Sequence, residues 1–180
     1  MTLPTIDHIG FLVPDLDAAI ARWSAATGYT FGPIARFQAA RYLDHAGPEL
    51  RLQEPRITFS VEGPPYIELM ETTGLGTHDE GQLGVHHLGF RGLTDLGRQL
   101  QRLDAAGLGH DGVAFDAADQ VVLFFTEPAA LDGIRLELIS PRPGLMLTDD
   151  RTREYPRDPV TGRVDFSAFD PSSAQPTQSA

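Results

Sequence analysis

The chain repeats itself at two places. His8-Ile9-Gly10-Phe11 returns as His87-Leu88-Gly89-Phe90, and Ile67-Glu68-Leu69-Met70 returns as Leu136-Glu137-Leu138-Ile139. Each histidine stands 20 residues ahead of a glycine placed to stop a helix, Gly28 and Gly107. Such self-similarity limits the fold severely, because both halves must build the same small unit and neither is large enough to bury a core alone.

The residues between these anchors spell out that unit. Ile6–Val13 reads as a strand closed by Pro14, with Asp15 as the cap of a helix whose Leu16, Ile20 and Trp23 share one face. Three β-like pieces follow, within Arg36–Leu43, Arg56–Glu62 and Tyr66–Glu71, the last two joined by the turn Glu62-Gly63-Pro64-Pro65. A Gly/Thr-rich link, Thr72–Leu83, leads to the second set. There Val85–Arg91 reads as a strand, and Thr94 or Asp95 as the cap of a helix with Leu96, Leu100 and Leu103 on one face. Gly112–Asp116, Gln120–Thr126 and Ile134–Ile139 are its β-like pieces. The expectation is an α+β chain of two tandem βαβββ modules, residues 5–72 and 84–143, making one domain over 5–143. Residues 144–180 are rich in Pro, Asp, Arg and Ser and read as an extended or partly disordered tail. Within it Phe166 and Phe169 offer anchors for a surface, such as a partner subunit's, and Ser172–Ala180 has a disorder-like composition.

Composition narrows the chemistry. Among 180 residues there is no Cys, and all 14 basic residues are Arg, so thiolate, Schiff-base and P-loop lysine chemistry are absent. With 25 Asp and Glu the net charge is −11, a poor match to nucleic acid or an anionic membrane. No apolar stretch approaches a membrane span, and Met1–Thr5 lacks the basic and apolar segments of a secretion signal. Cytoplasmic placement is the resulting expectation. What remains is His, Asp, Glu, Tyr, Ser and Thr chemistry, with or without a hard metal ion.

Strand alternation then sorts the repeated residues by face. His8 points with Ile6, Gly10 and Leu12, and His87 with Val85, Gly89 and Arg91. Glu68 points with Tyr66 and Met70, and Glu137 with Arg135 and Ile139. All four project from the side away from the helices. Polar groups flanked by apolar strand residues are costly to bury unless paired, and a divalent cation would satisfy two imidazoles and two carboxylates at once. Zn, Fe, Ni, Co and Mn all suit such donors. Tyr66, Met70 and Arg135 are candidate substrate contacts, with Arg135 free to pair with Glu137 or with a substrate anion. His86 should face away from His87 as a structural or supporting residue, and His45, His78 and His110 lie in loop-like contexts.

These motifs resemble the vicinal oxygen chelate superfamily, which includes glyoxalase I, methylmalonyl-CoA epimerase, extradiol dioxygenases and bleomycin-resistance proteins. Asp7 through Ala19 is similar to the opening of the glyoxalase/epimerase branch. Gly84-Val85-His86-His87-Leu88-Gly89-Phe90 is similar to its second opening, where the second His of the pair is the ligand. Tyr66-Ile67-Glu68-Leu69 and Ile134-Arg135-Leu136-Glu137-Leu138 resemble its ligand-bearing strands. The resemblance implies a curved mixed sheet around a metal-binding cleft, with His8, Glu68, His87 and Glu137 as ligands. It implies a metal-dependent lyase or isomerase that chelates two vicinal oxygens of a small substrate and moves a proton through an enediolate-type intermediate. Glu68 or Glu137 would be the catalytic carboxylate and a homodimer the assembly. An Fe(II) dioxygenase and a non-catalytic small-molecule binder are the alternatives on this fold. The chain departs from the pattern in its long tail and its few basic residues, which leave Arg36, Arg41 and Arg135 as candidate anion clamps.

Overall fold

The structure, a computed structural model, describes residues 5–169; the Ser172–Ala180 stretch lies outside them. The chain opens with β1 (His8–Val13) and α1 (Leu16–Thr27). Asp15 caps α1 by accepting from the Ala18 N–H at 2.9 Å, and Gly28 ends it in a left-handed conformation, φ 76°. Leu16 and Ala19 press this helix onto Val13 and Leu69, with Ile20 and Trp23 at the margin.

Four strands follow: β2 (Ala35–Asp44), β3 (Gly47–Gln53), β4 (Arg56–Phe59) and β5 (Tyr66–Glu71). The sequence pattern anticipates three. β3 escapes it because the strand is an exposed edge, so no apolar alternation marks it. β2 is weakly patterned for another reason. Its register against β3 shifts between Ala39 and Tyr42, and the side facing inward changes phase with it.

The second set comprises β6 (Gly84–Phe90), α2 (Leu96–Ala105), β7 (His110–Phe115), β8 (Val121–Thr126) and β9 (Arg135–Ile139). Asp95 precedes α2 in a left-handed conformation, φ 57°, and its side chain makes no capping bond, which corrects the expected cap. Leu96, Leu100 and Leu103 pack on Val113, Phe124 and Leu138.

These strands form one mixed sheet in the order β2-β4-β5-β1-β6-β9-β8-β7, and β7 pairs back onto β2 to close a barrel. A tenth strand, β10 (Leu145–Thr148), extends the sheet by pairing antiparallel with β2. The chain after it folds back over the barrel. Tyr155 is buried with Met146, Met70 and Leu12, and its ring meets Phe166 and Phe169 at 5.1 and 5.2 Å. The two phenylalanines thus anchor on this chain's own core.

The registers at the centre of the barrel place the repeated residues. β1 runs parallel to β5 with Gly10 opposite Glu68, and β6 runs parallel to β9 with Gly89 opposite Glu137. β1 and β6 are antiparallel neighbours, with His8 opposite Gly89 and Gly10 opposite His87.

Candidate metal centre

That cross-strand pairing explains the spacing His-x-Gly in both repeats. Each imidazole lies across the glycine of the facing strand. A Cβ on Gly10 would sit 2.1 Å from Cε1 of His87, and one on Gly89 would sit 2.1 Å from Cε1 of His8. Only glycine leaves room for the two rings to meet, and they do so with Nε2 atoms 3.0 Å apart.

The carboxylates close on the same point from β5 and β9. Glu137 Oε2 lies 3.0 Å from His8 Nε2 and 3.3 Å from His87 Nε2. Glu68 Oε2 lies 3.2 Å from His87 Nε2 and 3.5 Å from His8 Nε2. One ligand atom from each of the four residues falls within 4.8 Å of the rest. Both histidines are 0% exposed, and Glu68 and Glu137 only 6% and 7%. Bonds of about 2.1 Å to one ion, set at octahedral or tetrahedral angles, hold neighbouring donor atoms roughly 3.0–3.4 Å apart. The five separations that involve an imidazole nitrogen, 3.0–3.5 Å, lie close to that demand, and the donor set suits a divalent first-row metal.

The charges of the cluster lean on one another. Burial alone would depress the histidines, but Glu68, Asp7 and Glu137 hold His8 above the usual imidazole range. Against the same burial, Glu137 and Glu68 lift His87 to about 9. Burial would raise Glu137, yet His87 and His8 keep it well below the ordinary carboxylate range. A metal ion replaces this mutual neutralisation by displacing the protons.

Each imidazole is also fixed from behind. His8 Nδ1 meets Asp7 Oδ2 at 3.0 Å, and Asp7 is held in turn by Arg91 Nε at 3.1 Å. His87 Nδ1 meets His86 Nδ1 at 3.0 Å, and His86 Nε2 donates to the Thr77 carbonyl at 2.8 Å. This chain dictates the tautomers. A carbonyl only accepts, so His86 carries its proton on Nε2. Burial and the neighbouring imidazoles keep His86 neutral, so its Nδ1 accepts from His87. With Nδ1 committed to His86, His87 turns Nε2 toward Glu68 and Glu137, where it carries the proton that a metal ion would displace.

His86 does not face away from His87. Gly10 pairs with His87 and Phe11 with Val85, so His86 is the extra residue of a β-bulge, which turns it inward. His78 joins it, stacked at 5.1 Å and 27°, and burial together with the charge on His87 depresses His78 to about 4. The sequence does not signal this pair, because the bulge and the short turn Gly76–His78 are set by tertiary contacts. His45 pairs with Asp111 and His110 with Asp104 at the surface.

The remaining candidates are placed as follows. Met70 packs in the core beside Glu68 and borders the centre's cavity. Tyr66 borders a neighbouring cavity and lies 4.8 Å beneath the Arg163 guanidinium. Arg135 is buried and pairs with Asp111 Oδ2, Nε at 2.7 Å, and with Gln82, rather than with Glu137. Arg36 pairs with Asp149, and Arg41 with Asp119.

Two cavities adjoin the centre. A small one of about 30 Å³ touches Glu68, Glu137, Phe125, Arg91 and Arg157. A larger one of about 630 Å³ carries the aromatic rings of Phe31, Phe59, Tyr66, Phe166 and Phe169 in a wall that also includes Asp7, Arg91 and Arg163. Phe59 and Arg91 border both.

A family model described as Glyoxalase/Bleomycin resistance protein/Dioxygenase superfamily matches residues 7–124. No curated protein matches the chain. Among solved structures, a hypothetical protein from Bacillus halodurans C-125 superposes with a TM-score of 0.53 at 17% identity, over 77% of this chain and 95% of that one. Methylmalonyl-CoA epimerase from Mycobacterium tuberculosis gives 0.49 at 23% identity, over 79% of this chain and 94% of its own. The Streptomyces coelicolor epimerase gives 0.49 at 21%, over 79% and 99%. No helix among the described residues is long and apolar enough to cross a membrane.

Proposed function

This chain belongs to the glyoxalase/bleomycin resistance protein/dioxygenase superfamily, and we propose that it is a metal-dependent lyase or isomerase acting on a small substrate through two adjacent oxygens. The observation that carries the reading is the convergence of two imidazoles and two carboxylates, nearly closed to solvent, on one point. A bound Zn, Ni, Co, Mn or Fe ion would polarise the substrate's oxygens and acidify the neighbouring C–H. His8, Glu68, His87 and Glu137 would hold the ion, with Asp7 and His86 steadying the two imidazoles from behind. Both carboxylates border the small cavity, and Glu68 Oε2 stands farther from His8 Nε2, 3.5 Å against 3.0 Å for Glu137, so Glu68 is the group we assign to take up and return the proton. Met70 walls that cavity and Tyr66 meets the substrate's outer part. The matching registers of Gly10 with Glu68 and Gly89 with Glu137 support reading the domain as two βαβββ modules, assembled as a homodimer in the manner the resemblance implies.

The test is exchange of a C–H proton with deuterated solvent in a panel of small 2-hydroxycarbonyl compounds. The metal-loaded protein should catalyse exchange in at least one of them, and Glu68→Gln should keep its metal and lose the exchange. Equal exchange in Glu68→Gln refutes the assigned role. Fe(II)-dependent oxygen uptake by the wild type would instead place the chain with the dioxygenases. The aromatic cavity of about 630 Å³ favours a second reading, a binder of apolar small molecules. Tight binding of such a molecule without any turnover would support it.

A further inference from the structure

We infer that Arg157 anchors the substrate by binding a carboxylate group on it, which makes the substrate a small carboxylic acid with its oxygens at the His8–Glu68–His87–Glu137 centre. The inference rests on the reading of that centre as a substrate site and narrows what the site takes.

Arg157 lies in the segment after β10, beyond the residues that the family model matches, and bridges to Val164. It borders the small cavity together with Glu68, Glu137 and Arg91. Its Nη1 donates to the Gly162 carbonyl at 3.4 Å, a long bond. Its Nε and Nη2 are shut from solvent and have no hydrogen-bond partner. These two nitrogens form one edge of the guanidinium plane, the side-on fork that accepts a carboxylate through two parallel hydrogen bonds.

The contrast with other arginines is chemical. Arg36, Arg56, Arg91 and Arg135 each meet a carboxylate within 3.2 Å. Among the described residues no carboxylate lies within ion-pair distance of Arg157. Burial and the like charge of Arg91 depress it to about 10, with Glu154 offsetting them in part. A buried cation left this way is unfavourable, and an incoming anion relieves it. Compactness selects the anion. The cavity of about 30 Å³ has apolar walls at Phe37, Ile57, Leu123 and Phe125, and a flat carboxylate suits it better than a phosphate ester.

The probe is oxalate, a carboxylate with adjacent oxygens, titrated into the Ni(II)-loaded full chain by calorimetry. Arg157→Gln should weaken oxalate binding by about ten-fold or more, as loss of a bidentate charged pair does, and Arg157→Lys should recover part of it. Affinity for Ni(II) alone should stay within about two-fold of wild type in both, since neither change touches a ligand. The ligand-free Arg157→Gln protein should melt at or above the wild-type temperature, because it loses an unpaired buried cation. Unchanged oxalate affinity in Arg157→Gln overturns the inference, as does a lower melting temperature accompanied by unchanged binding. If the wild type takes up no Ni(II), the reading of the centre fails. The oxalate-induced rise in melting temperature, compared between wild type and Arg157→Gln, then still decides the role of Arg157.

Discussion

Adding one methyl group at Gly10 should dismantle the centre without touching a ligand. The new Cβ would stand 2.1 Å from Cε1 of His87. Carbon atoms in contact settle near 3.5–4.0 Å, so the ring must retreat by roughly 1.5 Å. That retreat is comparable to the difference between a bond to metal and no bond. The ring has little room to give, since His87 is 0% exposed and lies against Phe125 at 5.3 Å and His8 at 5.1 Å. Overpacking of this kind costs about 1–3 kcal/mol of stability. The affinity loss should exceed the 10–100-fold seen when only a supporting partner of a ligand is removed. Gly89→Ala should behave alike, because its Cβ meets His8. Gly97→Ala is the control. It sits in α2 with open space around it and should gain about 0.5–1 kcal/mol with metal affinity unchanged. Competition with a chromophoric chelator gives the affinity and denaturant unfolding gives the stability. A Gly10→Ala protein that binds metal as tightly as wild type would refute the cross-strand argument.

Two further changes probe the histidines behind the centre. His86→Phe removes the acceptor for His87 Nδ1 and should lower metal affinity by about 10–100-fold, read by the same chelator competition. His78 is held neutral in the fold, from 6.5 down to about 4, so below pH 6.5 the unfolded chain takes a proton that the folded one refuses. Stability should therefore fall as pH drops from 6.5 through 4, by up to about 3 kcal/mol from this group. His78→Phe should flatten that acid limb in urea unfolding measured at several pH values.

The residues that converge were legible because two independent periodicities agree on them. The repeat marks His8 with His87 and Glu68 with Glu137, and strand alternation sends all four to the side away from the helices. The helices α1 and α2 were legible from their apolar stripes and from the stops at Gly28 and Gly107. What escaped is what no local pattern encodes. β3 is an exposed edge, and β2 changes phase at a register shift. His86 turns inward only because a bulge against Gly10 and Phe11 breaks the alternation. The closing of the barrel through β2 and β7, and the return of Tyr155, Phe166 and Phe169 onto the core, depend on contacts distant in sequence. The candidate anion clamps read from the sequence, Arg36, Arg41 and Arg135, already hold carboxylates, whereas Arg157 carried no signal there.

The central claim is that His8, Glu68, His87 and Glu137 form one metal site. Calorimetric titration of the chelator-treated protein with Ni(II), Zn(II), Co(II), Mn(II) and Fe(II) tests it most directly, alongside the doubly substituted His8→Ala, His87→Ala chain. The account predicts one equivalent bound per chain by the wild type and none at this site in the double variant. Wild-type protein that binds none of these ions, or a double variant that binds them equally well, would contradict it.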